Sequence, residues 1–152
     1  MNRSTYNWIG STIQCRHCSE LVTHAGSDFL CTQCHQLTEL FPQGESNRRR
    51  RGHAFLTTTM LKTIPALYAT EATPLAEKTL FAHYFLGACD WYVAELDPET
   101  GIAFGHADLG MGLPEWGYFN LVEMEATLVH EWLVIERDVH FTPPTALELD
   151  IA

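Results

Sequence analysis

Apolar and polar positions divide the chain into a short N-terminal stretch, a polar interruption, and a longer body whose period changes from segment to segment. In the N-terminal stretch, Glu20 to His24 reads as a short strand, Ala25 to Asp28 as a turn, and Phe29 to Cys31 as a returning strand. Within the body, Thr57 to Ile64 reads as a short helix stopped by Pro65. Thr73-Pro74 looks like an N-cap followed by proline at the first helical position. The helix it would open, Leu75 to Leu86, puts Leu80, Phe81, Tyr84 and Phe85 on one apolar stripe. Trp91 to Leu96 and Ile102 to Ala107 alternate as strands across the turn Asp97-Pro98-Glu99-Thr100-Gly101. A flexible loop, Leu109 to Pro114, leads to a third strand, Trp116 to Phe119. Asn120 caps a helix, with Glu123 placed to complete a capping box. Leu133 to Ile135 begins a last strand running toward Phe141, and Pro143-Pro144 ends the regular structure. The pattern predicts an α+β fold: a small antiparallel sheet with short helices over residues 56–142, preceded by a hairpin module over 1–40 and followed by an acidic tail over 143–152.

Charge sharpens this division. The 152 residues are 46% hydrophobic and 18% charged, enough apolar material for a real core. Residues 56–152 carry three basic residues (Lys62, Lys78, Arg137) against fifteen acidic ones, a net charge of −12. Such a body repels phosphate, so it cannot itself be a general nucleic-acid clamp. The basic residues collect in 41–55, where Pro, Gly, Ser and Asn surround Arg48-Arg49-Arg50-Arg51. That run has two main readings: a surface lying on a nucleic-acid backbone, or a solvated linker that offsets the acidic body. A nuclear address is a third. No apolar run is long enough to span a membrane, and Met1 to Trp8 lacks the apolar stretch of a signal peptide, so the expectation is a cytoplasmic protein.

The cysteines add the most specific chemistry. Cys15-Arg16-His17-Cys18 and Cys31-Thr32-Gln33-Cys34 are two C-x-x-C turns twelve residues apart, flanking the expected hairpin. Each turn can place two thiolates on one ion, and together they make the tetrahedral cage of a zinc ribbon. A module this small has too thin a core to fold alone, so the expected Zn2+ is a single structural staple. Two disulfides would suit an exported scaffold. A redox pair would want one C-x-x-C at a helix start. The Cys34-His35 junction matches a haem-attachment string but leaves Cys15 and Cys18 unexplained.

Several strings in the body carry a resemblance. They are Leu67-Tyr68-Ala69-Thr70-Glu71 with Pro74-Leu75, then Trp91-Tyr92, then Glu115-Trp116-Gly117-Tyr118-Phe119-Asn120-Leu121 with Glu123, then Glu136-Arg137-Asp138-Val139-His140-Phe141. Over residues 56–149 the chain resembles the bacterial family known as domain of unknown function 2958. The resemblance supplies no catalytic residues. It implies a bacterial protein of the mobile-element repertoire, with the ribbon as an N-terminal addition.

Acid–base groups are plentiful in the body: His83, His106, His130 and His140 with Glu115, Glu123, Glu125, Glu131 and Asp138. None stands in a hydrolase or metalloprotease spacing. Cys89 reads as a small buried hydrophobe. The cluster Glu136-Arg137-Asp138 is either a structural ion-pair hub or an anchor for a ligand carboxylate or phosphate. The sequence therefore predicts a non-enzymatic, zinc-containing binding protein. Its ribbon and Arg48–Arg51 would contact nucleic acid or a nucleic-acid-handling or defence protein, and its acidic body would meet a basic protein partner. A small hydrolase or metal-dependent enzyme using the histidines and carboxylates is the alternative.

Overall fold

A computed structural model describes the backbone of residues 6–9, 12–15, 21–22 and 35–151. Three short strands, β1 (Tyr6–Ile9), β2 (Thr12–Cys15) and β3 (Leu21–Val22), form an antiparallel meander in that order. β3 falls inside the strand expected over 20–24, but its partner here is β2. Cys15 is the last residue of β2, opposite Tyr6. Cys18, Cys31 and Cys34 lie outside the described residues, as do the expected turn and returning strand.

Next come α1 (His35–Leu40), α2 (Arg48–Arg51) and α3 (Thr58–Thr63), all short. Thr57 caps α3 by accepting the Met60 amide, and the residue before Pro65 is extended, as expected. The architecture of the body is a five-stranded antiparallel sheet of order β10-β4-β5-β6-β7, built from β4 (Ala82–Leu86), β5 (Cys89–Leu96), β6 (Ile102–Asp108), β7 (Glu115–Asn120) and β10 (Glu136–Arg137). Helix α4 (Leu121–Ala126) follows β7, and β8 (Leu128–Val129) pairs with β9 (Leu133–Val134) as a separate ribbon. The fold is α+β.

Two expectations need correction. The helix over 75–86 is a single 3-10 turn, Leu75–Glu77, followed by β4. A short aromatic run fits either period, and the two-residue turn at Gly87-Ala88 pairs it with β5 from Leu86↔Cys89 to Ala82↔Val93. The last strand is split: Leu133–Val134 joins β8, while Glu136–Arg137 crosses to the free edge of β4. Residues 143–151, within the segment expected as an acidic tail, are bonded to the body. Leu80 donates to the Pro144 carbonyl at 2.8 Å, Ala146 to Lys78 at 3.0 Å and Leu147 to Ala76 at 2.9 Å. Ala146 is wholly buried with Leu80 and Ala94, and Leu149 and Ile151, like Tyr92 and Trp116, pack against this small cluster.

The sheet has two unlike faces. One is the main core, where Tyr84, Val93, Leu96 and Ala103 meet Leu37 and Phe41 around α1, Met60 of α3, and Leu121 of α4. Phe41 and Phe55, at the two ends of the segment expected as a polar connector, are buried in this core, and Arg51 between them is buried as well. The Tyr84 hydroxyl donates to the Phe55 carbonyl at 2.7 Å, and burial pushes its proton affinity well up. At the sheet's centre the strands run so close that a Cβ on Gly105 would lie 1.8 Å from the Tyr92 carbonyl oxygen.

The second face is aromatic and polar. His83, Tyr92, His106 and Trp116 are successive partners across four strands, with His83 stacked on Tyr92 at 4.5 Å. A bulge in β5, where the register jumps between Val93 and Glu95, turns both Ala94 and Glu95 to this face and lets Leu96 rejoin the core.

Candidate functional site

Among the described residues, openings lie on two sides of this body. The larger, about 430 Å3, lies where the segment after α3 crosses the second face, between Tyr68, Glu71, Leu75, Glu95, Phe104 and Tyr118. Its floor is an ion pair in which Glu95 and Lys78, 3% and 5% exposed, stand 3.5 Å apart. Glu95 also accepts the amides of Tyr68 at 2.7 Å and Thr70 at 3.0 Å, and the Thr70 hydroxyl. The Lys78 ammonium donates at 2.6 Å to both the carbonyl and the hydroxyl oxygen of Thr70 and lies 5.8 Å from the Phe104 ring centre. Desolvation would raise the Glu95 carboxyl, but the Thr70 hydroxyl, the two amides and Lys78 outweigh it and hold the group below its ordinary value. Glu95 is thus a loop anchor. It fixes Tyr68 at φ 67°, a left-handed conformation that costs a non-glycine residue on the order of 1 kcal/mol.

The rings stand at the mouth of this pocket. Tyr68 and Tyr118 are 64% and 55% exposed, their centroids 6.3 Å apart and tilted by 53°. Phe104 lies 5.2 Å from Tyr118 at 54°. Hydrogen bonding with Tyr68 is the chief reason the Tyr118 hydroxyl titrates above its ordinary value, with smaller contributions from burial and from the charges of Glu95 and Glu71.

The smaller opening, about 250 Å3, runs along the edge of β4 and is lined by Arg50, Phe85, Leu86, Trp132, Val134 and Glu136. The four arginines of α2 do not share one environment. Arg51 is buried: its Nε donates to the Ile135 carbonyl at 2.9 Å, and its guanidinium lies 3.3 Å from Glu125, 3.6 Å from Glu45 and 4.5 Å from the Phe55 ring centre. It is therefore withdrawn from the expected nucleic-acid surface, because its charge is needed to neutralise two buried carboxylates. Arg49 and Arg50 are exposed and Arg48 is half-buried beside Glu45 at 3.6 Å. Trp132, 68% exposed, shares the cleft with Arg50.

Glu136, Arg137 and Asp138 do not form one hub. Arg137 donates to the Ala54 carbonyl at 2.9 Å, and among the described residues no carboxylate is within ion-pair distance of it. Asp138 turns to His83, 3.6 Å from its Nδ1, whose Nε2 lies 2.7 Å from Asp90. Glu136 is 3.9 Å from His53. Of the other acid–base groups, Glu125 is buried in the Arg51 network. His106 is buried with its Nδ1 unpartnered among the described residues, and burial pushes its imidazole below the ordinary value, against a smaller opposing effect of Asp108. Cys89 is half-buried near the Leu109 carbonyl, 3.5 Å from its sulfur. Among the described residues no group of three or more His, Cys, Asp or Glu side chains could hold a metal ion, and no helix is long and apolar enough to cross a membrane.

Sequence reasoning missed the larger pocket. Its signal was present in Tyr68, Glu71 and Tyr118, which fall in the resemblance strings, but a bulge and a left-handed tyrosine bring them together. A family model described as Protein of unknown function (DUF2958) matches residues 59–150, more than half of the chain. No curated protein and no solved structure matches it.

Proposed function

We propose that this chain, which belongs to the DUF2958 family, is a non-enzymatic binding protein with a nucleic-acid-contacting edge and an acidic surface for a basic partner. One observation carries the first half: Arg50 and the exposed Trp132 border one cleft, next to Arg48 and Arg49. Guanidinium groups that track phosphate beside an aromatic face on which a base can stack are the ingredients of single-strand binding. With the body at −12, such binding is weak and steeply salt-dependent. A labelled single-stranded oligonucleotide should bind the full chain at low salt. Replacing Arg48, Arg49 and Arg50 by alanine should flatten the salt dependence by roughly 0.7 per arginine lost, and Trp132→Ala should weaken binding by about 1 kcal/mol or more. Absence of binding at low ionic strength would sink this half.

The second half is supported by how the body uses its cations. Lys78 is closed in by Glu95 and Thr70, and Arg137 is tied to Ala54, so Lys62 is the one exposed basic residue of 56–151. The outward charge is overwhelmingly acidic and should steer a basic polypeptide. An arginine-rich peptide should bind at low salt and be released as salt screens the field.

In front of this body, Cys15, Cys18, Cys31 and Cys34 are proposed as the ligands of one structural Zn2+, in a cytoplasmic protein of the bacterial mobile-element repertoire. Native mass spectrometry should find one zinc per chain, lost when the four cysteines are replaced. A metal that survives that replacement would favour the hydrolase alternative.

A further inference from the structure

The strongest unassigned feature is the 430 Å3 pocket and its ring-lined mouth. We infer that it is a receptor site for an organic cation, the guanidinium or ammonium head of a basic residue on a protein partner, held by the ring faces of Tyr68 and Tyr118 and by the carboxylate of Glu71. The inference rests on the reading that the acidic body meets a basic partner, and it assigns the place where one side chain of that partner is gripped.

Three observations converge. First, Tyr68, Phe104 and Tyr118 line the same pocket; Tyr118 is tilted by 53° from Tyr68 and by 54° from Phe104, and the Phe104 ring faces the Lys78 ammonium at 5.8 Å, which leaves the two tyrosine rings for a ligand. A cation over such faces is attracted by the ring quadrupoles, and a box of several rings is how ammonium groups are selected. Second, the fixed charge is right. Glu95 and Lys78 neutralise one another in the floor, where Lys78 is 5% exposed and turned toward Thr70 and Glu95. Glu71 is the remaining charged lining residue, exposed and without an ion pair among the described residues. Third, the rings are prepared before any ligand arrives. Glu95 sets the Tyr68 backbone from below through its 2.7 Å bond, which holds the Tyr68 ring 6.3 Å from that of Tyr118. Two large aromatic side chains more than half exposed would otherwise pack away from water. The volume holds a charged head with its methylene stem.

The test uses the full chain labelled with 13C on its tyrosine rings, titrated in an NMR experiment with N-acetylarginine methylamide, tetramethylammonium, and 3,3-dimethylbutan-1-ol as the uncharged shape match. The two cations should shift the Tyr68 and Tyr118 signals saturably and the alcohol should not. Tyr118→Leu, which keeps an apolar side chain at an exposed site, and Glu71→Gln should each weaken cation binding about five-fold, as loss of one cation–π or charge contact implies. An arginine-rich peptide should lose affinity for Tyr118→Leu by a similar factor. Equal response to the alcohol, or no saturable shift up to about 0.1 M cation, overturns the assignment. If the peptide binds in a salt-dependent way but Tyr118→Leu leaves its affinity unchanged, the pocket assignment falls while the acidic-surface reading stands. If the small cations saturate the pocket while no basic peptide binds at low salt, the protein partner is overturned.

Discussion

Two buried ion networks in this molecule are built from the same parts and do different work. In the first, Glu45 and Glu125 flank Arg51; in the second, Glu95 faces Lys78. Each carboxylate accepts backbone amides of a crossing segment: Glu125 those of Ser46 and Asn47, Glu45 those of Phe55 and Leu56, Glu95 those of Tyr68 and Thr70. The first network is sealed, with the Arg51 side chain wholly buried and its Nη1 lacking any hydrogen bond closer than the long contact to Glu45. The second opens onto solvent through the pocket above it. Acids in this chain serve first as anchors for irregular backbone, which is why its many acid–base groups give no catalytic arrangement in sequence. Only where an anchor lies under an open space does it also shape a binding surface.

The sealed network should be the more costly to break. Arg51→Ala leaves two buried carboxylates without their cation and should destabilise by about 3–5 kcal/mol in urea unfolding. A loss below about 1 kcal/mol would show that the buried arginine is not what ties 41–55 to the sheet. Glu95→Ala strands two amides and Lys78 and should cost less, about 2–3 kcal/mol. It should also accelerate hydrogen exchange at 68–75 well before the rest of the body. Uniform acceleration would erase the distinction between the two networks.

Acid sharpens the comparison further. The folded Glu95 carboxyl titrates below its ordinary value, so it contributes stability in full above that value and loses it as pH falls through the lower, folded one. Wild type should therefore lose stability more steeply than Glu95→Gln as pH drops from about 5 to 3; parallel curves would show that the anchor is not ionised in the fold. The smallest effect belongs to a cap outside both networks. Asn120 accepts the amides of Val122 at 2.8 Å and Glu123 at 3.3 Å, and Asn120→Ala should cost about 1 kcal/mol. A cost matching that of Arg51→Ala would mean that α4 carries more of the fold than its six residues suggest.

Local chemistry was legible where it was self-contained. The helix capped by Thr57, the turn at Asp97 to Gly101, the strands on either side of it and the Asn120 cap all depend on neighbours within a few residues, and each stands where its sequence put it. What failed was long-range. Leu80 to Phe85 has an apolar spacing that serves a helix or a strand, and pairing with β5 decided it. The arginine run reads as uniformly outward, on nucleic acid or in solvent, because nothing adjacent announces Glu125, 74 residues away from Arg51. The pocket was invisible for the same reason, since its walls come from the 68–75 segment, β6 and β7.

By itself the sequence determined the class of the fold, the acidic excess of the body, the turns and caps, and membership of a family through strings along one domain. Tertiary structure alone decided which charges face water. Burial and ion pairing depend on distances across the sheet that no local pattern encodes, so identical arginines at 50 and 51 came to rest in opposite environments. For the same reason a bulge in one strand could turn Glu95 from the core to the floor of a pocket.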